Sequence, residues 1–435
     1  MQTTLQGIAQ KAKRLKKYRF RNLYREINAD TLRWAWRFIN KKASAGVDKV
    51  TAREFEKEFD KNINDAAKNL KQKRYKAKFV RRSHIPKGKG KTRPLGIPAL
   101  IDKLIQVVVA RILMAIHEQD FISNSYGYRP NKGALDAVQA ISKELQFGKY
   151  NYIVEADIKG FFDNMEHDWI IRMLEERIDD RAFVRLIRKW LKAGILETDG
   201  KITNPITGSP QGGIVSPVIA NIYLHYSLDL WFEKVVKPSC SGAAYCCRYA
   251  DDFVCAFQSK TETERFYREL QERLRKFGLE VSEEKTNIIR FSRYQKGENT
   301  AFDFLGFEFR WGISRNGKMI IKKRTAPEKL RKSLQNFAQW CKHIGSLSRK
   351  EIFRQLNTKL RGYYNYYGVI GNYDSLNIFF FRMQKILFKW LRRKNFRSKL
   401  SWEKFNKYLE IYRIETPRIT QVRGGTLRNF EFSFV

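Results

Sequence analysis

Two periods of apolar residues alternate along this chain, one typical of strands and one typical of helices. Residues 152–157 and 245–257 are short runs rich in apolar, aromatic and cysteine residues, which favours buried strands. Over residues 325–344, 348–363 and 374–390, apolar side chains recur at helical spacing. The pattern therefore predicts an α+β protein with a strand-rich centre and a small bundle of three amphipathic helices towards the C-terminus.

Capping signals mark where the three helices begin. Thr325 and Glu328 have the spacing of a capping box, with an early proline between them, and Ser348 with Glu351 starts the second helix. The third helix follows Asp374. Its predicted inward-facing positions are Ile378, Met383, Ile386, Leu387 and Trp390.

Charge changes this picture by indicating a polyanionic partner. Lys and Arg number 85 against 45 Asp and Glu, a formal net charge of +40. Self-repulsion of that size favours a protein that usually lies on a polyanion, and the 14% aromatic content also suits base stacking. An apolar fraction of 43% excludes a disordered basic tail. Charge alone would equally fit a ribosomal or chromatin protein.

Three aspartates give the strands a candidate chemistry. Asp251 and Asp252 are adjacent at the predicted tip of a hairpin, and Asp157 ends the other predicted strand. Adjacent carboxylates repel, and a divalent cation such as Mg²⁺ removes that conflict. Together the three side chains would make the carboxylate cage that two-metal phosphoryl transfer requires. The alternatives are an ordinary Asp-Asp turn and, for Asp157, a helix N-cap.

A basic loop is the second candidate feature. Lys87 and Arg93 frame a Gly/Lys stretch at residues 88–91, where glycine permits a tight turn and cations can meet a triphosphate. A solvated basic hairpin explains the same residues equally well. The five cysteines form no CxxC pair, which argues against a disulfide framework or zinc site and for a reducing compartment.

Eight motifs, in one order, resemble those of group II intron-encoded reverse transcriptases (maturases) along most of the chain. They include the basic loop, a Pro-Gln-Gly-Gly turn and a Tyr-Ala-Asp-Asp sequence (residues 249–252, hereafter the YADD turn). The motifs lie at residues 45–48, 81–98, 126–130, 157–162, 208–224, 248–253, 278–286 and 304–307.

The resemblance implies a right-hand polymerase fold, with fingers, a palm built on an antiparallel sheet, and a helical thumb. The predicted regions are a basic N-terminal extension (1–30), fingers (31–105), palm (106–315), thumb or maturase domain (316–394) and a basic DNA-binding tail (395–435). The chain also resembles the form that has no endonuclease domain.

The resemblance also assigns roles to individual residues. Asp157, Asp251 and Asp252 would be catalytic, and these three with Ile158 would bind two Mg²⁺ ions. The residues expected to bind the nucleotide are Arg81, Lys87, Arg93, Phe162 and Gln211. Those expected to bind nucleic acid are Lys285, Arg349, Arg354, Lys385 and Lys389. Phe162, the expected steric gate against a ribose 2′-hydroxyl, could instead be a core aromatic, and the thumb cations could form an ordinary solvated face.

These expectations point to an RNA-directed DNA polymerase that also binds a structured group II intron RNA and assists splicing. Its partners would be an RNA template, a DNA primer or target and dNTPs, in a bacterial cytoplasm, with no membrane association. Two alternatives stay open. One is a free-standing enzyme of the same type used in DNA repair or phage defence, and the other is an RNA-binding splicing factor without polymerase activity.

Overall fold

The structure is a computed structural model that describes residues 1–88, 91–294, 300–394 and 400–421. The side chains of Lys87 and Lys285, two of the predicted binding residues, lie outside the described part, as do residues 395–399 and 422–435 of the predicted C-terminal tail. Within the described ranges, every helix is too short or too polar to span a bilayer.

The N-terminal region is helical and carries one long hairpin. Capping boxes at Asn28 and Thr51 begin two of its helices. Its elements are α1 (Gln2–Arg14), α2 (Ala29–Ala35), α3 (Ala52–Lys57), α4 (Phe59–Lys71), β1 (Val80–Gly88), β2 (Lys91–Ile97), α5 (Leu100–His117) and α6 (Ala134–Phe147). Helix α5 is buried along most of its length, which explains its nearly continuous apolar sequence. It forms the centre of the main core, which also takes in Ala12, Phe20 and Leu23 of the predicted extension.

The central region holds the antiparallel sheet. Its elements are β3 (Tyr152–Asp157), α7 (Phe161–Asn164), α8 (His167–Glu175), α9 (Arg181–Leu191), β4 (Ile195–Leu196), β5 (Ile202–Thr203), α10 (Ser216–Leu224), β6 (Ala244–Tyr249), β7 (Asp252–Phe257), α11 (Lys260–Arg275) and β8 (Asn287–Arg290). The strand order is β6-β7-β3-β8, and every neighbouring pair is antiparallel. A second sheet joins the long hairpin to β4 and β5 in the order β2-β1-β4-β5.

Both faces of β6 and β7 are covered, which explains why these two strands are apolar almost without alternation. Cys246 and Cys255 face the main core, whereas Cys247 and Val254 face a separate cluster. That cluster also contains side chains of a third sheet, whose strands are β9 (Ala301–Phe304), β10 (Phe307–Ile313) and β11 (Met319–Thr325). The strand order of the third sheet is β11-β10-β9.

The C-terminal region forms a bundle with its own core. Its helices are α12 (Pro327–Lys342), α13 (Arg349–Tyr367), α14 (Tyr373–Lys394) and α15 (Trp402–Ile411). Helix α15 lies in the predicted tail, yet Phe405 and Leu409 belong to the bundle core with Leu356 and Met383. The predicted N-terminal extension thus packs on the main core, and α15 of the predicted tail packs in the bundle. The division of the chain into five regions stays a prediction.

The predicted α+β class is confirmed. Of the two predicted helix N-caps, Ser348 and Thr325, one is confirmed and the other is wrong. Ser348 caps α13 as predicted, its side chain accepting a hydrogen bond from the Glu351 amide. The predicted Thr325 cap is wrong, because Thr325 ends β11 and its hydroxyl and amide bond the Asn372 side chain. Ile378 is 45% exposed, so its predicted inward position is also wrong.

Candidate active site

Strand pairing brings the three predicted catalytic aspartates to one end of the central sheet. Asp157, the last residue of β3, lies directly opposite Asp252, the first residue of β7. Residues paired in this way have Cα atoms about 4.5–5.5 Å apart. Asp252 also pairs with Tyr249 of β6, so Asp251 lies in the two-residue turn between the strands. The predicted hairpin tip is therefore confirmed.

The backbone of the YADD turn is unusual at Ala250. Ala250 has φ 56°, in the left-handed region that residues with a Cβ adopt only at a cost in free energy. Gly127 lies against this turn so closely that a Cβ there would be 2.3 Å from the Ala250 nitrogen. Burial raises the pKa of the next residue, Tyr128; to a smaller extent Asp251 also raises it and Arg93 lowers it. The Tyr128 ring packs against Phe162, a contact that its sequence motif alone did not reveal.

The oxygen atoms at this end of the sheet match a hard divalent cation. Asp157 and Asp251 are half-buried, Asp252 is exposed, and Ile158 adds a backbone carbonyl directly after β3. Carboxylate and carbonyl oxygens are the ligands that Mg²⁺ takes in proteins. Within the described ranges, no three His, Cys, Asp or Glu side chains converge into a metal-binding cluster. The backbone thus aligns the three aspartates, while the predicted cage itself stays a prediction.

Arg93 and Gln211, both predicted to bind the nucleotide, are in direct contact. The Arg93 Nε donates a hydrogen bond of 2.7 Å to the Gln211 Oε1, and the Gly96 amide donates one of 2.5 Å to the Gln211 carbonyl. Gly212 has φ 110°, and a Cβ there would be 2.5 Å from the Gly96 carbonyl oxygen. The Pro-Gln-Gly-Gly turn thus needs glycine in order to lie against β2.

Arg81 is held by a different part of the chain. Its Nε and Nη2 donate hydrogen bonds of 3.1 Å and 2.7 Å to the Ala45 carbonyl. This contact joins β1 to the 45–48 motif. Because the guanidinium is engaged with the protein backbone, it fits a residue that supports the hairpin better than one whose cation is directed at a phosphate.

The two adjacent phenylalanines after β3 are both buried but pack differently. Phe161 has its ring centroid 6.3 Å from that of Tyr223 in α10, within the main core. The ring centroid of Phe162 is 6.5 Å from that of Tyr128, beside the YADD turn. Phe162 is thus the one of the pair that contacts the neighbourhood of Asp251, although only 6% of it is exposed.

Tyr366 is a residue near the site that the motifs did not indicate. Its hydroxyl donates a hydrogen bond of 2.9 Å to the Leu305 carbonyl, in the turn between β9 and β10. Burial raises its pKa, and Tyr367, Tyr249 and Asp252 add to the effect. The tyrosine-rich run of residues 363–367 is the sequence signal that could have indicated this contact between the bundle and the catalytic end of the sheet.

Some of the cations predicted to bind nucleic acid already form hydrogen bonds with other side chains of the protein. Lys385 and Lys389 are exposed, one turn apart on α14. Arg349 donates a hydrogen bond of 2.9 Å to the Tyr408 hydroxyl, and its guanidinium lies over the Tyr408 ring. Arg354 binds Glu351 through two hydrogen bonds of 2.7 Å and 2.6 Å. The two lysines are therefore better placed for phosphate contacts than the two arginines.

Comparison with known proteins agrees with this geometry. Residues 85–309 match the family described as reverse transcriptase (RNA-dependent DNA polymerase). The chain is 31% identical over 443 residues to the group II intron-encoded protein LtrA of Lactococcus lactis subsp. cremoris, covering 82% of this chain and 72% of that protein. It is 32% identical to protein YkfC of Escherichia coli K12, over 60% of this chain and 73% of that protein.

A similarity to a yeast intron protein covers a shorter part of the chain. The putative COX1/OXI3 intron 1 protein of Saccharomyces cerevisiae is 29% identical over 52% of this chain and 32% of that protein. The matched region of the reverse transcriptase family contains the paired aspartates, the Gln211 turn and most of the β1–β2 hairpin. The chain therefore belongs to the reverse transcriptase family, among the group II intron-encoded reverse transcriptases and maturases, and is an RNA-directed DNA polymerase.

Proposed function

We propose that DNA synthesis on an RNA template takes place at Asp157, Asp251 and Asp252. The observation that carries this proposal is the register that sets Asp157 opposite Asp252, with Asp251 in the adjoining turn. Two Mg²⁺ ions held there would stabilise the negative charge that develops on the transferred phosphate and on the leaving pyrophosphate. The three carboxylates and the Ile158 carbonyl are the oxygen ligands available for them.

The rest of the site would bind and orient the two reactants. The primer 3′-oxygen attacks the α-phosphorus of a dNTP, the bond to pyrophosphate breaks, and the hydroxyl proton is released. Lys87 and Arg93 are proposed to bind the triphosphate, and Gln211, which Arg93 contacts, to lie against the base pair. Phe162 would lie under the sugar, with Tyr128 packed against its ring. Arg81 would act indirectly, by fixing β1 to residues 45–48.

The proposed nucleic-acid partners are an RNA template or group II intron RNA and a DNA primer or target. A formal charge of +40 supplies the attraction for phosphates. Lys385 and Lys389 on α14, with Lys285, Arg349 and Arg354, are proposed to contact the nucleic acid backbone. Binding of a structured intron RNA by the same surface would serve the maturase activity.

The test replaces each aspartate and measures two properties separately. Asp157→Ala, Asp251→Ala and Asp252→Ala should each reduce primer extension to background while leaving RNA affinity unchanged, because each removes a proposed ligand but no phosphate contact. Asp199→Ala is the matched control, since Asp199 is an exposed carboxylate in the loop between β4 and β5. Near-normal extension by purified Asp251→Ala would overturn the proposed site.

A further inference from the structure

A fully buried arginine lies directly behind the catalytic turn. Arg248 precedes the YADD turn, and neither its side chain nor that of Asp229 is exposed to solvent. A guanidinium removed from water is tolerated only if it is paired and its donors are satisfied. The hydrogen-bond partners of the Arg248 guanidinium therefore indicate its role.

Four hydrogen bonds show what the Arg248 guanidinium holds. Its Nε and Nη2 donate to the two carboxylate oxygens of Asp229 at 2.7 Å and 2.5 Å. Its Nη1 donates to the Asn221 Oδ1 at 3.2 Å and to the Ala250 carbonyl at 2.9 Å. The same side chain thus joins a buried anion to the backbone of the YADD turn.

The Ala250 carbonyl is an informative contact, because it belongs to the peptide that leads into Asp251. Ala250 is in the left-handed region, so this peptide would not adopt its orientation by local preference. The hydrogen bond from Arg248 fixes the direction of that peptide. Fixing the peptide fixes the path of the chain through Asp251 and Asp252.

Asn221 extends the same network to the segment that covers the turn. Its Nδ2 donates a hydrogen bond of 2.6 Å to the Gly127 carbonyl, and Gly127 packs against Ala250. The Arg248 backbone also pairs with this region, since the Tyr126 amide donates to the Arg248 carbonyl at 2.9 Å. The YADD turn is therefore contacted by both the Arg248 guanidinium and Gly127, and Asn221 forms hydrogen bonds with both of them.

Asp229 reaches this position through an irregular helix. The helix that begins as α10 widens into a π-helical turn at His225–Asp229, and Asp229 is the last residue of that turn. Such turns are rare and occur frequently at functional sites. Here the irregularity ends at the residue that neutralises Arg248.

We propose that Arg248, held by Asp229 and Asn221, is a positioning residue that sets the geometry of the Asp251 and Asp252 carboxylates for cation binding. It acts through the Ala250 carbonyl and touches neither substrate nor cation. The proposal rests on the proposed role of the aspartates as cation ligands. Loss of groups that orient metal ligands typically lowers metal affinity or activity by about 10- to 100-fold.

The experiment replaces the ion pair by apolar residues of similar size, as Arg248→Met with Asp229→Leu. Exchanging both partners avoids a buried unpaired charge, so the fold is expected to persist. Terbium(III), an oxygen-seeking ion whose luminescence nearby tyrosines sensitise, reports cation binding without catalysis. We expect terbium affinity to fall by about 10- to 100-fold, and the Mg²⁺ concentration for half-maximal primer extension to rise in parallel.

A second ion pair, only slightly more exposed, provides the matched control. Arg177 is 3% exposed and donates to Asp120 at 2.8 Å, and its other hydrogen bonds go to the Lys16 and Ala12 carbonyls and not to the YADD turn. Arg177→Met with Asp120→Leu removes an equivalent ion pair and should leave terbium affinity unchanged. A purely structural role for Arg248 would make the two double variants behave alike in terbium binding, which would overturn the proposal.

Two further variants make every outcome decisive. If the Arg248→Met/Asp229→Leu protein does not fold, Arg248→Lys keeps the charge but lacks the planar fork that reaches Asp229, Asn221 and Ala250 together. Wild-type terbium affinity in folded Arg248→Lys would then overturn the proposal. Asp251→Ala separates the two hypotheses. If Asp251→Ala binds terbium normally, the proposed cation site itself fails. If only the Arg248 variants bind it normally, the positioning role alone fails.

Discussion

At the scale of single residues, neighbours in sequence have different surroundings. Phe161 and Phe162 are adjacent and both buried, yet one contacts Tyr223 in the main core and the other contacts Tyr128 beside the catalytic turn. The resemblance predicts that Phe162 is the steric gate, with a core aromatic as the alternative, and that Phe161 is a core aromatic. Both rings belong to the main core, and Phe162 also packs on Tyr128 beside the YADD turn, so the gate role stays a prediction.

We expect Phe162→Ala to let the enzyme add ribonucleotides while keeping part of its deoxynucleotide activity. A rigid ring there would exclude a 2′-hydroxyl by overlap, and truncation would remove that overlap. Because both rings are buried, each truncation should also lower the free energy of unfolding, by about 3–5 kcal/mol. The measurement is therefore the ratio of dNTP to rNTP addition to a DNA primer on an RNA template, which does not depend on the folded fraction.

Phe161→Ala is the matched control for this change. It removes the same atoms from the adjacent position and should leave the dNTP to rNTP ratio as in the wild type. A ratio that moves in Phe161→Ala and stays constant in Phe162→Ala would show that the two roles have been assigned the wrong way round.

At the scale of elements, hairpins and helices meet through few polar contacts. The β9–β10 hairpin turns at Leu305 and Gly306, both with positive φ, as a tight two-residue connection requires. Tyr366 of α13 donates to the Leu305 carbonyl, and its ring lies 5.9 Å from that of Phe307 with nearly parallel planes. The hairpin thus joins the helical bundle to the end of the sheet that carries Asp252.

Tyr366→Phe should shorten the products of extension with little change in the first nucleotide addition. The substitution keeps the ring and removes one hydrogen bond, which contributes about 0.5–1.5 kcal/mol. We expect the bundle to hold the hairpin less firmly, so that the enzyme dissociates earlier from the duplex. Product length under single-binding conditions, with excess competitor template, measures this effect.

Tyr364→Phe removes a comparable hydroxyl inside the bundle. That hydroxyl donates to the Glu415 carbonyl at 3.3 Å, within the bundle rather than at the hairpin. Product lengths should therefore match the wild type. Equal shortening in both variants would mean that bundle stability, and not the hairpin contact, controls product length.

At the scale of the whole molecule, excess positive charge should dominate nucleic-acid affinity. The logarithm of the binding constant should fall linearly with the logarithm of salt concentration. Replacing Lys385 and Lys389 by Gln should reduce the magnitude of that slope by about 2, because each lysine is proposed to neutralise one phosphate. Replacing Arg349 and Arg354 by Gln should reduce it less, because Tyr408 and Glu351 already engage them. Filter binding of a template–primer duplex across salt concentrations measures all slopes.

The control for charge is a pair of arginines on the opposite side of the central sheet. Arg268 and Arg275 are exposed on α11, which packs on the face that lies against the main core. Changing both to Gln alters the net charge by the same amount and should leave the slope unchanged. If this control flattens the slope as much as Lys385→Gln with Lys389→Gln does, the α14 lysines form an ordinary solvated face.

Features that depend on local pattern and on motif order could be predicted from the sequence. The apolar runs before and after Asp251 predicted the hairpin, the Ser348 signal predicted the start of α13, and the order of motifs indicated the family. These succeed because strand burial, helix capping and turn formation depend mainly on residues close in sequence. Where a distant partner competes, local signals fail, as Thr325 shows by bonding Asn372 instead of capping α12.

The contacts between residues distant in sequence could be read only from the folded chain. Asp157 and Asp252 are far apart in sequence, and their direct pairing is a property of strand register. The contacts of Arg93 with Gln211, of Tyr366 with Leu305 and of Arg248 with Asp229 likewise depend on how separate elements pack. The spacing of apolar residues predicts that a residue is buried but not which residues it contacts. Many packing arrangements bury the same surface, and the folded chain adopts one of them.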